Sequence, residues 1–138
     1  MSFLLATNAV SEWVKPRPNP GLIHWMESAD EDRIFISVVS LAELHYGVER
    51  MAAGGRRTRL EQWIQHELPL RFEKRVLPVD INVAEAWGRT VSRHEAAGRP
   101  IGAIDAFLAA TAEIYRLTFV TRNVSDFPLL KAVLSPWT

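Results

Sequence analysis

The sequence predicts an α/β fold, a parallel sheet covered on both faces by helices. Three observations carry that reading. Short apolar runs alternate with longer segments whose apolar residues recur at helical spacing. The clearest run, Leu117-Thr118-Phe119-Val120-Thr121, is apolar-rich in the manner of a strand buried on both faces. Pro16 and Pro18, Gly54-Gly55, and Gly98 with Pro100 punctuate the ends of segments. No internal repeat, low-complexity stretch or interdomain linker interrupts the pattern. Residues 1–138 are therefore expected to form a single domain.

The elements follow in order. Phe3-Leu4-Leu5 reads as a short buried strand. Val10, Trp13 and Val14 lie at helical spacing, and Pro16 and Pro18 end that helix. Asn19-Pro20 reads as a helix cap followed by a first-turn proline, opening a helix through Leu22, Ile23, Trp25 and Met26. Arg33-Ile34-Phe35-Ile36 is strand-like, and Ser37 to Ser40 are expected to make a turn. Leu41, Leu44, Val48 and Met51 define the next helix, stopped by Gly54-Gly55. Thr58 and Glu61 match a capping box ahead of Leu60, Trp63, Ile64 and Leu68. Arg75-Val76-Leu77 with Val79 is a third strand. Asp80 caps a long helix through Ala84, Trp87 and Val91, closed by Gly98 and Pro100. Ile104, Phe107, Leu108, Thr111 and Tyr115 mark another helix, and Ala132-Val133-Leu134 a last short strand.

Composition narrows the functional classes. Sixteen basic and sixteen acidic residues cancel, so the chain has no overall basic field. Its cations are mostly arginine, whose planar fork suits phosphate. They gather as Arg56-Arg57-Arg59, Arg71 with Lys74-Arg75, and Arg89 with Arg93 and Arg99; the plain alternative is a set of solvated helix faces. Cysteine is absent, which excludes disulfides and thiolate metal sites. No signal peptide or membrane-length apolar run is visible, so the chain is expected in the cytoplasm, with no membrane partner. The four histidines (His24, His45, His66, His94) lack metal-ligand spacing and read as surface or partly buried. No nucleophile-elbow, phosphate-loop or dinucleotide-binding motif occurs.

Three acids stand out by placement. Glu43 lies beyond the second strand, Asp126 beyond the fourth, and Asp105 opens the helix leading into that fourth strand. Each has a structural explanation. Ser40 and Glu43 match a capping box, Asp105 suits a helix N-terminus, and Asp126 suits a turn. Taken together, they fall where ligands bind in open parallel sheets, beyond the carboxyl ends of the strands. Carboxylates gathered there repel one another unless a cation shares them, and oxygen ligands suit Mg²⁺ or Mn²⁺. The corresponding position beyond the first strand, residue 6, is Ala.

Four segments in order resemble the PIN-domain ribonucleases: Leu4-Leu5-Ala6-Thr7-Asn8-Ala9-Val10-Ser11-Glu12, Ser40-Leu41-Ala42-Glu43-Leu44, Ile104-Asp105-Ala106 and Val120-Thr121-Arg122-Asn123 with Asp126-Phe127. The likeness is to the VapC and FitB-like toxins of bacterial type II toxin–antitoxin pairs. It implies a three-layer α/β/α domain with a parallel sheet of four to five strands. It implies Mg²⁺- or Mn²⁺-dependent cleavage of RNA, possible targets including tRNA and rRNA. It implies a VapB- or FitA-like antitoxin docked across the N-terminal helices, and a homodimer or toxin–antitoxin hetero-oligomer. By this resemblance Asp105, Glu43 and Asp126 form the acidic metal-binding set, with Asn123 the alternative to Asp126. Thr7, Asn8 and Thr121 would be polar supports.

The sequence departs from the family at Ala6, where the pattern has a metal-binding aspartate. The chain as written is therefore expected to be inactive or strongly impaired, whether by deliberate substitution or natural decay. Two other functions compete. One is a non-catalytic module that binds antitoxin or RNA. The other is a doubly wound phosphatase, which needs a nucleophilic Asp at the position that Ala6 occupies. The five tryptophans leave room for one or two exposed at a partner groove.

Overall fold

The apolar runs pair side by side, every neighbour parallel, into a five-stranded sheet of order β3-β2-β1-β4-β5. The strands are β1 (Phe3–Leu5), β2 (Ile34–Ser37), β3 (Val76–Leu77), β4 (Thr118–Val120) and β5 (Val133–Leu134). The helices are α1 (Thr7–Trp13), α2 (Pro20–Ser28), α3 (Val38–Glu49), α4 (Gly55–Gln62), α5 (Leu68–Phe72), α6 (Ile81–Ala96) and α7 (Ala103–Ile114). The computed structural model describes residues 1–138.

Strand alternation sends successive side chains to opposite faces and so builds two cores. Leu4 and Phe119 point into one, with Leu108, Ala109, Ala112 and Phe127. Leu5 and Val120 point into the other, with Val10, Leu22, Ile34, Ile36, Leu68 and Phe72. The first face is covered by α7, the second by α1, α2 and α5, which gives the three layers. Outside α7 lies α6, where Val83 and Ala86 meet Ala110 and Trp87 stacks on Phe107 at 5.3 Å between ring centroids. The caps read at Asn19 and Asp80 are present: Asn19 accepts from the backbone of Gly21 and Leu22, and Asp80 from that of Val83.

Four expectations are corrected. Ser37 to Ser40 make no turn. Ser37 itself caps α3, its Oγ accepting from Val39 N at 3.0 Å, so strand passes directly into helix. Thr58 and Glu61 form no capping box. Gly54, at φ 154°, lets α4 start at Gly55; Thr58 then sits inside the helix, bonding back to Gly54 O, and Glu61 pairs with Arg57. His94 is neither surface nor partly exposed but buried, at 3% exposure. None of the five tryptophans is exposed; each is half-buried against the core. Residues Trp63–Glu67 also make a π turn, in which Leu68 N reaches back to Trp63 O. Pro69 lacks the N–H that would continue the regular ladder, which is a sufficient reason for the slip.

Candidate active site

In the strand order the chain runs outward from β1 to β3 on one side and from β4 to β5 on the other. The crevice where those directions diverge lies at the carboxyl ends of β1 and β4. There a cavity of about 340 Å³ opens. Leu108, Phe119 and Phe127 form its apolar lining; Ala6, Thr7, Asn8, Ser11, Glu43, Asp105, Thr121, Asn123 and Asp126 complete the wall. Every site residue expected from the sequence is thus brought to one cavity.

The fold places each for a local reason. Ala6 follows β1, its N–H bonded to Val120 O at 2.8 Å, and is the cap residue of α1. Its methyl group supplies no side-chain cap, although helix starts favour Asp, Asn, Ser or Thr. Glu43 faces inward from the second turn of α3. Asp105 occupies the first turn of α7, whose N-terminus meets the sheet edge because α7 runs antiparallel to β4. Asp126 ends a 3₁₀ turn, Val124–Asp126, anchored by Phe127, which packs on Phe119 with ring centroids 4.7 Å apart.

Hydroxyls and amides tie these elements together. Thr7 Oγ1 donates to Glu43 Oε1 at 2.5 Å and shares a 2.9 Å bond with Ser40 Oγ. Ser40 therefore does not cap a helix with Glu43; it is buried, and links α1 to α3. Asn8 Nδ2 donates to Thr121 Oγ1 at 3.1 Å, and the same oxygen accepts from Asn123 N. Asn8 Oδ1 accepts from Arg122 N, so one side chain fixes both the end of β4 and the loop beyond it. Ser40 was singled out from the sequence only as a helix cap, and Ser11 was not. Nor was Glu12, which receives bonds from Lys15 Nζ and Asn19 N and pins the corner between α1 and α2. Each lies inside or beside a recognised motif, the one signal available.

The electrostatics concern Asp105. Burial raises its carboxyl above the ordinary range, and the charges of Glu43 and Asp126 push it further. The three acids thus share one field. The donors are all oxygen or amide groups, with no histidine or cysteine, the chemistry of a hard divalent cation. No three acids or histidines stand close enough to clamp an ion directly. A cation that keeps several of its waters, as Mg²⁺ does, needs only one or two carboxylates and fits that spacing.

A model of the PIN domain matches residues 3–128. The chain belongs to the PIN-domain family. PIN ribonucleases as a class depend on a divalent metal. Among curated relatives, the chain is 33% identical over 135 residues to the toxin FitB of Neisseria gonorrhoeae, covering 97% of each protein. It is 29% identical over 135 residues to the VapC ribonuclease Y4jK of Sinorhizobium fredii, covering 97% of this chain and 96% of the relative. The crystal structure of FitAcB from Neisseria gonorrhoeae superposes with a TM-score of 0.89 at 33% identity, over 98% of both chains. A structure of FitAB bound to a DNA fragment gives 0.91 at 31% identity, over 99% of this PIN domain and 96% of that chain.

Proposed function

We propose that this PIN domain is the toxin of a type II toxin–antitoxin pair, an endoribonuclease whose chemistry is disabled at position 6. The observation that carries the reading is the convergence of Glu43, Asp105 and Asp126 beside Ala6 in one cavity at the sheet's switch point. Asp105 is the main metal-binding residue, with Glu43 and Asp126 completing the set and holding its waters; Asn123 is the alternative to Asp126. Mg²⁺ or Mn²⁺ is the ion, and when bound it supplies a water of lowered pKa and offsets charge on the phosphodiester. Thr7 holds Glu43 in one rotamer through its hydroxyl. Asn8 and Thr121 hold the loop that carries Asn123 and Asp126. Residues 1–138 act as one unit, which pairs with an antitoxin, as the FitAB and FitAcB complexes pair theirs.

Ala6 is the weak point. Loss of an outer-shell partner alone lowers metal affinity or activity about 10–100-fold, and loss of a direct ligand costs more. Ala6→Asp is expected to restore Mg²⁺- or Mn²⁺-dependent cutting of single-stranded RNA or tRNA by more than about 100-fold. Gel assays of both proteins decide it. If Ala6→Asp stays silent with both metals, the chain is instead a binding module with an acidic pocket.

A further inference from the structure

A nucleic-acid strand carries a negative charge at every phosphate, so a wall of Glu43, Asp105 and Asp126 repels it. The formal net charge of zero provides no overall field to offset that repulsion. Whatever holds a strand across the pocket must therefore be local.

Three neighbouring cavities share wall residues along this edge of the molecule. Through Ser11 the acidic pocket meets a groove of about 670 Å³ between the end of α1 and α4, lined by Lys15, Arg56, Arg59 and Trp63. Through Asp105 and Asp126 it meets a cleft of about 370 Å³ that includes Arg99. The fold also sorts the arginine clusters. Arg57 pairs with Glu49 and Glu61, Arg71 with Glu31, and Arg93 with Glu113. Arg75 bonds the carbonyls of Glu31, Ile34 and Arg71. Those arginines hold the fold. Arg56, Arg59 and Arg99 are exposed and enter no ion pair, and they lie in the two cavities flanking the acids.

We propose that Arg56 and Arg59 on one side, and Arg99 on the other, are phosphate-binding residues of a track for single-stranded RNA. The strand lies along the three cavities with the phosphate to be cut over the acids. Trp63 offers a stacking face to a base on the α4 side. Free cations on both flanks distinguish this arrangement from a one-sided groove for a polypeptide. They also explain how a neutral protein presents an acidic site to a polyanion: each flanking guanidinium offsets charge where the backbone enters or leaves. The inference rests on the ribonuclease reading and adds the residues that position its substrate.

The protein as it stands suits the test, because binding is read without cutting. Anisotropy of a labelled single-stranded RNA long enough to span the three cavities is followed against salt. Arg56→Gln with Arg59→Gln is expected to weaken binding roughly tenfold and to flatten the log–log salt slope by about 1.4, and Arg99→Gln by about 0.7. Arg56→Lys with Arg59→Lys keeps the slope. Lys131→Gln, in a separate basic cavity with Arg116, changes nothing. All these side chains are exposed, so folding is unaffected. An unchanged slope in the arginine variants, while the parent binds RNA and Ala6→Asp cuts it, overturns the track alone and leaves the groove to a polypeptide. If Lys131→Gln weakens binding as much, the track is also overturned. If the parent does not bind RNA and Ala6→Asp does not cut it, track and ribonuclease reading fall together.

Discussion

Two threonines of this PIN domain are equally hidden and differently treated. Thr121, at 0% exposure, lies in the pocket wall, where its hydroxyl accepts bonds from Asn8 and from the backbone of Asn123. Thr90, at 1% exposure, lies on the buried face of α6, and its hydroxyl has no partner. Four residues on, His94 bonds Thr90 O through Nδ1 while its Nε2 goes without. The pocket's polar groups are networked because they hold acids and a loop in place. Thr90 Oγ1 and His94 Nε2 hold nothing, and each unpaired atom lowers stability by about 1–3 kcal/mol. Electrostatics run the other way. The pocket, whose buried threonine is fully partnered, keeps like charges together, and Asp105 bears the consequence in a carboxyl raised by burial and by Glu43 and Asp126. Repulsion between charges is concentrated in the pocket, while the hydrogen-bond deficits sit on α6.

The sharpest way to test that contrast is at Asp105. In the Ala6→Asp background, Asp105→Asn is expected to lower RNA cleavage by more than about 100-fold. In the parent, with chelator present, the same change is expected to raise the melting temperature at neutral pH. The sign follows from linkage. Asp105 keeps its proton to a higher pH when folded than when unfolded, so stability falls as pH rises through that window. The asparagine variant escapes this loss, and its advantage should shrink as pH is lowered through the carboxylate range. A melting series across pH with equal curves for both proteins would refute the charge conflict.

The matched pair of threonines gives the next effect. Thr121→Val leaves the Asn8 amide and Asn123 N–H without their acceptor, and is expected to lower stability by about 1–3 kcal/mol. Thr90→Val removes a hydroxyl that bonds to nothing, and is expected to raise stability by about 1–3 kcal/mol. Urea titration of the two variants side by side checks the opposite signs. Equal losses would mean that burial alone, not networking, sets the cost.

Much of the fold was legible in the sequence because its signals are local. Strand runs such as Phe3–Leu5 and Thr118–Val120, and caps such as Asn19 and Asp80, depend on neighbours a few residues away. Elsewhere the local signals are ambiguous. Ser37 and Ser40 both precede an apolar helical pattern, and only the geometry of Val39 N shows that Ser37 is the cap. Thr58 matches a cap pattern that Gly54 makes unnecessary. The burial of His94 follows from the packing of α6 on α7, which no spacing in its own helix announces.

The sequence by itself determined the α/β class, the order of the elements and the acids that belong together, because hydrophobic period and motif order are properties of the chain. Only the tertiary structure decided which groups meet. Thr7 reaches Ser40 and Glu43, and Asn8 reaches Thr121, across more than thirty and more than a hundred residues. It also decided which arginines are consumed in ion pairs and which stay free along the acidic edge. Partnering depends on where a folded sheet brings distant strand ends, and a linear pattern records side-chain type without recording the neighbour.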